Sequence, residues 1–489
     1  MRAGINRLSG FGLTVFTQDE LDSIHYATLR ILGGTGIKVE SKEALEIFDG
    51  AGANVEKHGS YGIVKIPPHI VEDCIRSAPS TLTYYGRDSK YDYVGEPGRT
   101  GFTFFGENTH LIDLETRKHR GCVKEDLATA TRLGDALDEL PVIEKCMGSQ
   151  DKPAETQTMH NYEAMVNNTS KHCFHGFYTK GSARKIVEMA AECVGGMDNF
   201  RKRPIVTSTV CPSSPLMMIE VCCDVIIECA RLGAGIAAIP MPISGATGPT
   251  TLAGTLVGHN CEVLSALILS QLTVKGSRFT YCSCATVMDM KSGNVSLGAP
   301  EYGMISAAAT KLAQYYKLPN WSGCGVSDSK LPDAQATSEY ALNTTLAALS
   351  GSNIIFSVGG IDSGLTFDYA KTILDAEHIH RIKKVLEGIE VSDETLAVDV
   401  INEVGPAGNF LMHDHTVSHM KEVSEAKLFD RRKREAWAAD GSRDIVECAY
   451  EKAKQILATH KPTPLPDGVA GKMRNIVDEY EKELGVKKG

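Results

Sequence analysis

Residues 320–336 read NWSGCGVSDSKLPDAQA, which sets one lysine, Lys330, between two acids, Asp328 and Asp333, where an apolar run hands over to a helical pattern. Turn residues belong at such a handover, but a charged trio is less expected. Lys330 can meet an anion, while an acid can meet a cation or cap a helix whose first turn holds Pro332. Aromatic residues make up only 7% of the chain, yet they recur where short apolar runs end: Phe104, Phe105, Phe174, Phe177, Tyr178, Trp321 and Phe356. Singly, each reads as core. Together they read as a box for a cation, each ring contributing about 0.5–2 kcal/mol when the site is dry. Phe174 and Phe177 fall on opposite faces of a regular strand, so not all seven can line one cavity. Glu107 and His175 stand among them.

Three further patterns carry weaker chemistry. HDHTVSH (413–419) places His415 and His419 four apart. Such a pair can ligate a metal, but no glutamate completes an HExxH motif, and packing is the simpler reading, so no metal site is expected. Cys282 and Cys284 alternate on one strand face and read as small buried hydrophobes. ISGATGPTT (243–251) is a turn entering a helix, able either to hold an anion on its amides or simply to turn.

The elements that must position these groups follow from periodicity. Thr17 and Glu20 form a capping box before an apolar helical face ending at Gly33 and Gly34. Residues 80–120 alternate in short stretches between Gly and Asp, and so read as hairpins. Beyond them, apolar runs at 142–148, 171–178, 204–210, 235–243, 278–286, 320–326, 353–360 and 408–413 alternate with helical stretches. Eight such units in one chain argue for an α/β fold, a closed (β/α)8 TIM barrel, with its site at the C-terminal ends of the strands. The expected division is an N-terminal cap of helices and hairpins over 1–121, the barrel over 122–420 and a C-terminal helical extension over 421–489.

Composition narrows the class. The 489 residues carry a net charge of −10 with no basic run of the kind that binds nucleic acid or an anionic membrane. None of the 14 cysteines forms a CxxC pair, which fits a reduced cytoplasm better than a disulfide scaffold. Neither a signal segment nor an unbroken apolar run of membrane-spanning length is visible, so a cytoplasmic protein is expected.

Five stretches then carry a likeness: 101–127 (GFTFFGENTHLIDLETRKHRGCVKEDL), 242–254 (PISGATGPTTLAG), 325–336, 359–377 (GGIDSGLTFDYAKTILDAE) and 410–432. In this order, over nearly the whole chain, they resemble the trimethylamine:corrinoid methyltransferase family. The resemblance implies a TIM-barrel methyltransferase that moves a methyl group from a methylated amine to the Co(I) of a corrinoid (cobalamin) carried on a separate cognate protein. It also implies a homo-oligomer. Family members acting on trimethylamine contain pyrrolysine, and others use quaternary amines. This chain has no pyrrolysine; the corresponding position lies in or beside 326–330, near Lys330. A quaternary amine is therefore the expected substrate, glycine betaine first and proline betaine or carnitine next. A non-catalytic betaine-binding barrel is the alternative. The mouth loop with Asp328 and Lys330 is the expected reaction locus. Phe104, Phe105, Glu107, Phe174, His175, Phe177, Tyr178, Trp321 and Phe356 are the expected binding residues. Lys330, His175 or the turn at 244–248 would anchor a carboxylate.

Overall fold

In the computed structural model, which describes residues 12–486, eight parallel strands stand in one sheet: β1 (Gly101–Phe104), β2 (Val142–Glu144), β3 (His172–Phe174), β4 (Val206–Val210), β5 (Gly235–Ala238), β6 (Phe279–Ser283), β7 (Asn320–Gly323) and β8 (Ile354–Val358). Each is followed by a helix: α1 (Lys124–Ala136), α2 (Gln157–Asn168), α3 (Lys180–Val194), α4 (Glu220–Leu232), α5 (Leu252–Thr273), α6 (Pro300–Tyr315), α7 (Ala334–Ser350) and α8 (Tyr369–Glu387). Backbone ladders run from β2 through β3, β4, β5, β6, β7 and β8 to β1. The last gap, between β1 and β2, is bridged by a side chain. Thr103 Oγ1 donates to Val142 O at 3.0 Å and accepts from the Glu144 amide at 2.8 Å. The result is a (β/α)8 barrel.

Two expectations need correcting. The run at 408–413 is not a strand; Leu411 and Met412 lie exposed just before the short helix Asp414–His419. The missing strand is β1, inside the region read as cap, so the barrel begins before residue 122. Gly101–Phe104 is buried on both faces, and a run enclosed on both sides shows no polar alternation to mark its layer.

The N-terminal region braces the barrel from outside and below. Its first helix, Gln18–Gly34, begins with the capping box: Thr17 Oγ1 accepts from the Glu20 amide at 3.3 Å while the Glu20 carboxylate accepts from the Thr17 amide at 2.8 Å. The chain turns at Gly36, whose φ of 75° suits glycine. This helix and Pro68–Ser77 pack on α5. Helix α5, with 22 residues and a mean hydropathy of 1.4, is long and apolar enough to cross a membrane, but 72% of that stretch is buried in the molecule. The hairpin Leu82–Tyr84/Tyr93–Gly95 plugs the barrel floor. There Tyr84 Oη meets Thr280 Oγ1 at 2.9 Å and Tyr93 Oη donates to Asn353 O at 2.6 Å. C-terminal helices Ile445–Thr459 and Val469–Glu483 pack against α8 and α3 respectively. Between α8 and the first of them, no residue from Lys383 to Cys448 is buried.

Candidate active site

Strand alternation sorts side chains into an outer core, under the helices, and an inner one, within the barrel. On β2, Val142 joins the inner cluster and Ile143 the outer, so Glu144 turns inward. The inner core is a column of rings rising from the floor. Tyr84 and Phe174 have centroids 5.2 Å apart, Phe174 and Trp321 4.8 Å, Trp321 and Phe356 5.0 Å, and Phe356 and Phe105 4.6 Å. A small sheet of Ile243–Ser244, Thr286–Asp289 and Asn294–Ser296 lies over the mouth, sending Val295 and Leu297 down onto the column. Gly364, at φ 81°, lies so close to Phe105 that a Cβ there would run into the ring.

Polar groups gather where β1 to β4 end. Glu144 is buried, and its Oε2 has no hydrogen-bond partner. Burial pushes its carboxyl well above the usual range. Trp321 Nε1 is likewise buried and unpartnered. Lys145 donates to Glu107 Oε1 at 2.7 Å and to Tyr178 Oη at 3.3 Å. Burial alone would depress this ammonium, but Glu107 and Tyr178 outweigh it and hold Lys145 above its ordinary value. Cys211 keeps accessible surface, yet desolvation pushes its thiol up to about 12.

Four of the seven rings singled out in sequence, Phe105, Phe174, Trp321 and Phe356, therefore meet inside the barrel. Phe104 does not: it packs outward against Phe367, with centroids 5.8 Å apart, beneath Gly134 of α1. Phe177 also belongs to the outer core, beside His175. His175 bonds Thr158 through Nε2 and is lowered to about 3 by burial, so it is neutral and faces away from the mouth. It cannot anchor a carboxylate inside the barrel. Tyr178 and Glu107 reach the rim through Lys145.

The charged trio divides its work. The Asp328 carboxylate accepts from Ser296 Oγ at 2.5 Å, the Leu297 amide at 2.9 Å and Ser363 Oγ at 2.8 Å, tying together two roof loops. Asp333 caps α7, accepting from the Ala336 amide at 3.0 Å. Lys330 is exposed; its Nζ donates to Asp328 O at 2.6 Å and lies 3.7 Å from Asp362. Within the turn at 243–251, the amides of Gly245, Ala246 and Gly248 are spent on carbonyls of the same turn, so they hold no anion. His415 and His419 lie with tilted rings, centroids 4.2 Å apart, with His419 paired to Glu422.

Sequence reasoning missed Glu144, Lys145 and Cys211. The signal was present in VIEKCMG (142–148), where two charges interrupt an apolar strand and the first falls on the face of Val142.

With this geometry in place, comparison with known proteins is decisive. The family model of trimethylamine methyltransferase (MTTB) matches residues 9–485. The chain belongs to that family. It is a methyltransferase. A relative from Desulfitobacterium hafniense, named trimethylamine methyltransferase MttB, is 48% identical over 99% of this chain and 98% of its own length. Another protein from that species, named glycine betaine methyltransferase, is 30% identical over 96% of this chain and 98% of its own. The crystal structure of the Methanosarcina barkeri monomethylamine methyltransferase covers 93% of this chain and 89% of its own, with a TM-score of 0.54 at 13% identity, a likeness of fold.

Proposed function

We propose that this member of the trimethylamine methyltransferase family moves a methyl group from a quaternary amine to a corrinoid held by a separate cognate protein. Glycine betaine is the foremost substrate, with proline betaine or carnitine next. The observation that carries the reading is the ring column of Phe174, Trp321, Phe356 and Phe105, set inside the barrel beneath a roof. Such a wall suits an N-methyl cation, which offers polarised CH surface and no hydrogen to donate.

The corrinoid is the second substrate, whose Co(I) supplies the nucleophile. The residues of this chain bind, orient and exclude water. A quaternary ammonium leaves as a neutral tertiary amine, so the displacement requires neither proton nor metal at the nitrogen. Because the positive charge disappears along the reaction, rings that gripped the cation too firmly would slow the step. Binding energy is better drawn from a remote group, and we assign the betaine carboxylate to Trp321 Nε1–H, a buried donor without a partner. The free cysteines agree with a reducing cytoplasm, where Co(I) survives.

A second reading, trimethylamine as donor, is favoured by the name of the 48%-identical relative. Against it stands the chain itself, composed throughout of the twenty standard residues. Mixing the protein with cob(I)alamin and each amine, and following methylcobalamin absorbance, separates the readings. Turnover of glycine betaine with almost none of trimethylamine is the expected result, and the reverse would overturn it.

A further inference from the structure

We propose that Glu144 is the group that pairs with the substrate's ammonium nitrogen, so that this site takes methylated ammonium ions as ion pairs held within the barrel. The inference rests on the methylated-amine reading above and names the residue that enforces it. Four observations support the assignment. Glu144 ends β2 on the face of Val142, within the barrel. Gly106 makes room for it, since a Cβ there would stand 3.2 Å from Glu144 Oε1. Its Oε2 is buried with no partner. The neighbouring cation, Lys145, is already engaged by Glu107 and Tyr178.

A buried carboxyl without a partner is a costly feature to keep. A cation with no hydrogen-bonding capacity would compensate it by charge alone, while the rings cover its methyl groups. The charged and titratable groups facing Glu144 are few. Lys145 favours its ionised form and Glu107 opposes it. The thiols of Cys146, Cys173, Cys211 and Cys282 are all pushed up by burial, and so stay neutral near pH 7. Burial favours the protonated carboxyl in the empty site. When the cation enters, Glu144–COOH gives its proton to solvent and keeps the electron pair: acid plus ammonium gives ion pair plus a free proton. Once the methyl group has left, the amine is neutral and the carboxylate takes a proton back, which loosens the product. Glu144 is thus a substrate-binding residue that discriminates ammonium from neutral ligands. Its removal should raise KM without lowering kcat, because an ion pair stronger in the ground state than in the transition state tightens binding at some expense to the step itself.

Calorimetric titration with glycine betaine and tetramethylammonium, in buffers of different protonation heat between pH 5 and 9, tests this. The wild type should release about one proton per cation wherever Glu144 starts protonated, with affinity rising up to about tenfold per pH unit there. Glu144→Gln should bind both ions on the order of a hundred-fold more weakly, with no proton release. Glu144→Asp should restore part of the affinity and the proton linkage. If the wild type binds the cations at constant affinity across this range with no proton release, the role of Glu144 falls and the methylated-amine reading stands. Equal affinity of wild type and Glu144→Gln has the same meaning. Failure of the wild type to bind any methylated ammonium sinks both. If Glu144→Gln does not fold, proton release by the wild type alone decides.

Discussion

At Asp328 three donors converge: the hydroxyls of Ser296 and Ser363 and the Leu297 amide. Losing that carboxylate frees two loops at once, one of which presses Leu297 onto the ring column. Asp328→Ala is therefore expected to raise KM for the amine about ten-fold, since a hydrogen-bonded charge commonly contributes about 1.5–3 kcal/mol. Lys330→Ala should leave KM within about two-fold, because an exposed ion pair contributes only about 0–1 kcal/mol. Steady-state kinetics on the two variants checks both, and a large effect at Lys330 would contradict the geometry. Sequence alone placed these residues at the mouth but could not apportion their roles. The trio reads the same whether a given side chain points to solvent, to a helix amide or to a roof loop, and partners 31 to 35 residues away decide it.

At the scale of elements, α8 shows how a helix fixes a strand end. Lys371 and Asp375, one turn apart, form a fully buried pair at 2.6 Å, and Asp375 Oδ2 accepts from the Gly359 amide at 2.9 Å. Gly359, at φ 84°, is where the chain leaves β8 for the mouth. Desolvation raises Asp375 to about 6 against the pull of Lys371. Asp375→Asn strands a buried ammonium and should cost about 3–5 kcal/mol, measured as a fall in the denaturant midpoint at unchanged slope. Seven barrel strands were visible as apolar runs between helical stretches. The eighth was hidden because Gly101–Phe104 lies between two hairpins and is enclosed on both faces, so alternation assigned it to their layer. In the inner core, ring type was legible but side was not. Phe104 and Phe105 are adjacent, yet only Phe105 joins the column, since successive residues of a strand point to opposite faces.

The molecule as a whole keeps several imidazoles neutral inside it. Burial lowers His172 and His175 to about 3 and His259 and His378 to about 4, from an ordinary value of 6.5. Below pH 6.5 the unfolded chain takes up protons that the folded one refuses, so stability falls as the pH drops. The loss continues until the folded values are reached and is absent above the unfolded one. Each group contributes about 1.4 kcal/mol per pH unit across that window. The buried acids Glu144, Glu262 and Asp375, raised by desolvation, act in the opposite sense over the same window, so the histidine contribution is read by difference. By chemical denaturation, the change in stability between pH 7.5 and 5.5 should be less unfavourable in His259→Gln than in the wild type, and an identical change would refute it.

The hydroxyl of Thr103 has one more consequence. Seven of the eight strand junctions are carried by peptide groups, but within the strands the eighth passes through a side chain that both gives and receives a hydrogen bond, with one peptide bond, from the Asn108 amide to Cys146 O at 3.2 Å, just beyond the strand ends. A ring is first to part at its clasp. Local opening should therefore begin between β1 and β2, so that the Glu144 amide exchanges its hydrogen for deuterium before the amides of β5 or β6. Thr103→Val, close in shape but unable to bridge, should speed exchange there by about ten-fold or more, the loss of one to two buried hydrogen bonds. The residue on which that clasp closes is Glu144, so this joint of the barrel and the unpartnered acid of its inner core share a single peptide unit. Fluctuations of the wall would then admit water to the ring column from the side rather than through the roof.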